Sequence, residues 1–197
     1  MPEYTTELET KISEWARKRE SKRRFAHTER VVETVTTLAE QWAPEAIMQC
    51  RLAAWIHDGA KHYEREKMLL EAQKFGIYVR RYEFENPMLL HGVVAYHKAN
   101  KKFNLNDNQI RTACAYHTTG APNMNLIDKL VFLADMLEPE RDFPTVETLR
   151  AMVTIDIDKT MLLAVDNTLR FLLTRRKPID PRVIDLYNAL VRNRADS

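Results

Sequence analysis

Apolar positions recur every three to four residues along most of the chain, the spacing that gathers them on one face of a helix. Val31, Val35, Leu38 and Trp42 form one such stripe, and Leu126, Leu130, Leu133 and Leu137 form another. No Asn-Gly or Asp-Gly pair separates two alternating runs, so the pattern predicts no hairpin. Helix starts are marked by Asn86-Pro87, Asp107 and Asp180-Pro181, each a capping side chain ahead of a helical run. Pro44 and Pro139 stand where helices should stop. The prediction is an all-α fold of about eight helices, with looser segments near 62–86 and 139–145. No repeat, low-complexity tract or flexible linker divides the chain, which reads as one domain over residues 1–197.

A chain of 197 residues can bury a sizeable core. Its net charge of +2 creates no global basic field, so no nucleic-acid partner is expected. No apolar run approaches the roughly 20 residues that span a bilayer. Residues 1–24 lack the apolar core of a signal peptide, and a cytoplasmic home without membrane contact is the expectation. Cys50 and Cys114 are too few for a disulfide framework and fall in amphipathic runs, as small buried hydrophobes do. Charge matters locally, in the basic stretch from Arg17 to Arg24. It reads either as a solvated helix face or as a helix whose inner arginines meet an anionic ligand.

Candidate chemistry lies with the histidines. His27 shares a face with Val31, Val35 and Leu38; His57 follows Ala53 and Ala54 on a row starting at Cys50. His91 sits with Met88 and Ala95 near a helix start, and His117 continues the row Ile110, Cys114. One core-facing histidine is ordinarily a hydrogen-bonded core residue. Four of them on four helices can converge, and neutral imidazole is the commonest metal ligand. His97 reads as structural and His62 as surface. Asp135 lies on the row Ile127, Val131, Asp135, where an ionised carboxylate costs several kcal/mol unless it is paired. A buried arginine could pair with it; a metal cation meets the need better. The dipeptide His57-Asp58 follows an apolar run and completes the order His, His-Asp, Asp. That order offers nitrogen and oxygen without sulfur, a mixture suited to iron, manganese, cobalt, nickel or zinc. With an open coordination position, such an ion polarises a phosphoryl oxygen and activates water.

The order His27, His57-Asp58, Asp135 on an all-α chain resembles the HD phosphohydrolase superfamily. The local text resembles one branch more closely, in Arg24-Phe25-Ala26-His27-Thr28, His57-Asp58-Gly59-Ala60-Lys61, His117-Thr118-Thr119-Gly120 and the run from Ala134 to Arg141. These motifs are similar to those of the YqeK family, symmetrical bis(5′-nucleosyl)-tetraphosphatases that split diadenosine tetraphosphate into two ADP using iron. The resemblance spans residues 24–141, the expected metal-site core, with the basic N-terminal helix and C-terminal helices packed on it. It implies one or two iron ions held by His27, His57, Asp58 and Asp135. His91 and His117 would complete a second site bridged by Asp58, or contact phosphates. Arg24 and Lys61, one turn from His27 and His57, lie within reach of an anion at the metal. Thr118 and Arg141 become candidates for phosphate or ribose contacts, and residues 175–180 for a segment closing over the nucleotide. Asp58 and Lys61 would carry the catalysis, with a nucleotide as the small-molecule partner; a homo-oligomer is left open. Two features depart from the family pattern: glycine at position 59, where an aliphatic residue is more usual, and a longer N-terminal lead.

Rival readings remain at this point. Another HD nucleotide phosphohydrolase or phosphodiesterase, a di-iron oxygenase, and a non-catalytic nucleotide-binding module each fit part of the pattern. No nucleophilic Ser or Cys arrangement and no Gly-rich phosphate loop is visible, so a covalent intermediate is not expected.

Overall fold

The computed structural model describes residues 4–195. Among them there is no β-strand, and the all-α reading holds. The described residues form eleven α-helices rather than about eight: α1 Thr6–Arg17, α2 Lys22–Trp42, α3 Ile47–Ile56, α4 Arg65–Lys74, α5 Arg81–Glu85, α6 His91–Phe103, α7 Asn108–Tyr116, α8 Leu126–Leu137, α9 Val146–Val153, α10 Ile157–Thr174 and α11 Pro181–Ala195. Part of the excess comes from the segment 62–86, expected to be loose, which holds α4 and α5. Each buries few apolar residues, Met68 and Ala72 on α4, so neither carries a strong apolar stripe. Residues 138–145 are irregular, as expected.

The caps explain where the helices begin. Ser21 Oγ accepts from Arg24 N–H and opens α2; Asp107 Oδ1 accepts from the N–H groups of Gln109 and Ile110 and opens α7. Asp180 Oδ1 accepts from Arg182 N–H at the start of α11. Asn86 behaves differently: its amide donates to Tyr82 O, and Pro87 opens a single 3₁₀ turn, Pro87–Leu90, ahead of α6. The basic stretch 17–24 is not one helix either. α1 ends at Arg17, a turn follows, and Ser21 starts a new helix.

The core is the mutual packing of α2, α3, α6, α7 and α8. Val31, Val35 and Leu38 from α2 and Leu130, Val131 and Leu133 from α8 are buried in it, each contributing about 1.5–3 kcal/mol. Leu126, the first residue of the second stripe, is 37% exposed and stands at the helix edge. Cys50 and Cys114 are buried and unpaired. α1 packs on α3, and α9, α10 and α11 continue the stack beyond α8.

Two departures noted in the sequence meet at one contact. The Trp15 ring of α1 lies over Gly59, where an added Cβ would come 2.6 Å from ring atom Cζ3. The N-terminal lead thus fills the space that an aliphatic side chain at position 59 would need.

Candidate metal centre

Four histidines from four places in this core point their Nε2 atoms at one carboxylate. His57 and His117 stand one residue past the ends of α3 and α7, and His91 follows the Pro87–Leu90 turn. Each donates its Nδ1–H to the carbonyl three residues back: His57 to Ala54 at 2.6 Å, His91 to Met88 at 2.6 Å, His117 to Cys114 at 2.7 Å. The Ala54 and Cys114 carbonyls lie in helix-final turns, where partners along the helix run out, while Met88 O also accepts the His91 N–H. The same bond fixes the tautomer and turns the Nε2 lone pair inward. His27, inside α2, uses a different partner: its Nδ1–H donates to Glu138 Oε1 at 3.1 Å.

Asp58 divides the four rings into two pairs. Its Oδ2 faces His57 Nε2 at 3.5 Å and His27 Nε2 at 4.0 Å; its Oδ1 faces His91 Nε2 at 3.0 Å and His117 Nε2 at 3.8 Å. Asp135 Oδ1 lies 3.0 Å from His27 Nε2. The donor atoms of His27, His57 and Asp135 lie within 4.8 Å of one another, as do those of His57, Asp58 and His117.

Several observations fit a divalent cation here. His27 Nε2, His57 Nε2 and Asp58 Oδ1 are buried, and none makes a well-aligned hydrogen bond although oppositely charged groups stand close by, an arrangement that a central cation would satisfy. His91 and His117 Nε2 are 2.9 Å apart while both Nδ1–H groups are already donated. Two neutral rings so tied would aim lone pairs at each other, and the contact requires a shared proton or a metal ion. The donor set, nitrogen and carboxylate oxygen without thiolate, suits such an ion.

Electrostatics follow the same layout. Burial alone would raise the Asp58 carboxyl, but His57 and His91 outweigh it and hold it well below the usual carboxylate range. Burial would lower His57, yet Asp58 and Asp135 push it up to about 9. His117 is held well below the usual imidazole value by burial and by its neighbours His91 and His57. Asp135 is also depressed, its burial outweighed by His27, His57 and Arg141. Its side chain is not wholly enclosed, as the sequence suggested, but 16% exposed toward a cavity.

Cations border both carboxylates. Arg24 Nη1 lies 2.9 Å from Asp58 Oδ2 and Lys61 Nζ 3.0 Å from Asp58 Oδ1. Arg141 Nη2 lies 2.6 Å from Asp135 Oδ1, so the arginine partner considered for this aspartate is present beside the histidines. Thr118 Oγ1 is 3.1 Å from His117 Nε2. Residues 175–180 divide: Arg175 lines the cavity at Asp135, whereas Asp180 is buried in an ion pair with Arg182 at 2.7 Å. His97, half-buried, stacks on Phe75, and His62 is exposed.

One residue of the site went unassigned in the sequence. Glu138, 3% exposed, accepts from His27 and from Arg30 Nε at 2.6 Å. It follows α8 directly and precedes Pro139, so in sequence it resembles any charged residue at a helix stop.

A helical core that converges histidines and aspartates on one buried point is an HD fold, and the chain belongs to the HD domain family, whose model matches residues 24–140. Within that class it is 34% identical to a Halalkalibacterium halodurans protein named symmetrical bis(5′-nucleosyl)-tetraphosphatase, over 85% of this chain and 89% of the relative. A Staphylococcus aureus protein of the same name is 31% identical over 90% and 92% of the two chains. The crystal structure of a Clostridium acetobutylicum protein, described as a predicted HD superfamily hydrolase involved in NAD metabolism, superposes with a TM-score of 0.89 at 29% identity. That match covers 98% of this chain and 100% of the other.

Proposed function

We propose that this chain is a metal-dependent phosphohydrolase that splits diadenosine tetraphosphate and related dinucleoside polyphosphates symmetrically, releasing two ADP. The observation that carries the reading is Asp58, whose two oxygens face two histidine pairs while Arg24 and Lys61 stand beside them. The names of its relatives supply the substrate.

His27, His57, Asp58 and Asp135 would hold one ion, and His91 and His117, with Asp58 as the bridge, a second. Iron is the metal we propose; manganese, cobalt, nickel or zinc would suit the same donors. When bound, the metal supplies Lewis-acid polarisation of a phosphoryl oxygen and lowers the pKa of water. The remaining work belongs to the side chains. Lys61, Arg24 and Arg141, which border Asp58 and Asp135, would neutralise the nonbridging oxygens, where charge is carried as the anhydride breaks. Thr118 offers a hydroxyl beside His117. Glu138 keeps the Nδ1–H of His27 engaged, so its Nε2 lone pair stays aimed inward. Converting Asp58→Ala should remove metal and hydrolysis together, because both histidine pairs lose their shared anion. Full metal occupancy in that variant by elemental analysis would refute the site.

A further inference from the structure

Two cavities flank the cluster, and their chemistry differs. One, about 530 Å³, lies between α8, α10 and the irregular segment after α8, and opens on Lys61, His117 and Asp135. Its lining also includes Phe143, Phe171 and Met136, with Asn167 and Thr168 as polar groups. Phe171 is 56% exposed, and the Arg175 guanidinium lies 5.6 Å from its ring centre. The other cavity, about 420 Å³, is lined by Ser21, Arg23, Arg24, His27, Arg30, Glu138, Glu140 and Arg141. It holds four arginines, two carboxylates and no aliphatic side chain, and its single ring, His27, is 6% exposed and belongs to the metal cluster. Arg141 borders both.

We infer that the site binds its substrate unsymmetrically: the aromatic cavity seats one nucleoside, and the arginine cavity receives only phosphate. A base needs an accessible π or apolar face to stack on; Phe171 offers one in the first cavity, whereas the one ring of the second, His27, is buried. Arginine forks suit phosphate oxygens, and here Arg24, Arg30 and Arg141 are held edge-on by carboxylates, which fixes planes that could otherwise turn to stack on a base. The second nucleoside is therefore dispensable, and a mononucleoside tetraphosphate is also a substrate. The bond broken is the anhydride between the second and third phosphates from the seated base. The water oxygen bonds one phosphorus, and the P–O bond to the bridging oxygen breaks with its electron pair on that oxygen. The products of adenosine 5′-tetraphosphate are then ADP and pyrophosphate, with the proton of water released or kept on phosphate.

This inference rests on the hydrolase reading above, and its test separates the two. Metal-loaded protein is assayed on diadenosine tetraphosphate and on adenosine 5′-tetraphosphate, and ADP binding is followed by equilibrium dialysis. The expected result is a kcat/KM for the mononucleotide within tenfold of that for the dinucleotide. Phe171→Ala, at an exposed position, should lower both values by the same factor, about 5–150-fold for a lost stacking partner, and weaken ADP binding in parallel. A deficit larger than tenfold for the mononucleotide overturns the inference while leaving the hydrolase reading intact. So does unchanged ADP binding in both Phe171→Ala and Phe143→Ala. Dinucleotide left intact, with ADP binding still sensitive to Phe171, would instead sink the hydrolase reading and keep the seat.

Discussion

At the residue scale, the centre depends on each imidazole having its outer nitrogen occupied. Three rings use helix-end carbonyls, which substitution cannot remove, but His27 depends on the Glu138 carboxylate. Burial would raise Glu138, yet Arg30, the Glu140 N–H and His27 hold it below its ordinary value, so it is anionic at neutral pH. Glu138→Gln keeps the shape and removes the charge that makes His27 a better donor. Metal affinity, measured by competition with a chelator, should fall about 10–100-fold. An unchanged affinity would reduce Glu138 to an anchor for Arg30. The histidines and Asp135 were legible in sequence because a polar group on an apolar helix row demands a partner, and Asp58 because it follows His57 at the end of an apolar run. Glu138 was not, because it lies outside any periodic row and its partner is 111 positions away.

At the element scale, the decisive approach is α6 against the end of α7. A Cβ added at Gly92 would fall 1.9 Å from the Cys114 carbonyl oxygen and 2.9 Å from His117 Cε1. That carbonyl is the one that holds His117 Nδ1, and Gly92 adjoins His91. Bare backbone at this position lets the two Nε2 atoms come within 2.9 Å. Gly92→Ala should push the helices apart, lowering the melting temperature and reducing bound metal in the same variant. A variant with wild-type metal content would show that the close approach is packing alone. Periodicity located α2 and α8 because each turns a full apolar face to the core. It missed α4 and α5, where a short amphipathic contact is indistinguishable from a turn-rich loop.

For the whole molecule, the cluster ties folding to pH and to metal. In the metal-free chain His57 keeps its proton up to about 9, because Asp58 and Asp135 outweigh its burial. A folded pKa above the unfolded value gives stability that is complete below about pH 6.5 and is lost as pH rises toward 9. Metal binding needs that nitrogen deprotonated, so metal adds most stability over the same window. The melting-temperature gap between metal-loaded and chelated protein should therefore widen from pH 6.5 to 9. A gap that narrows, or no gap after verified metal removal, would count against a convergent centre. No helix among the described residues is long and apolar enough to cross a membrane.

Symmetrical cleavage of the tetraphosphate is read from the identity of the products. Purified, iron-loaded protein is incubated with diadenosine tetraphosphate and the nucleotides are separated by ion-exchange chromatography at early times. ADP is the sole nucleotide product expected, two per substrate consumed. ATP and AMP in equal amounts would place the cut one anhydride away and contradict symmetrical cleavage.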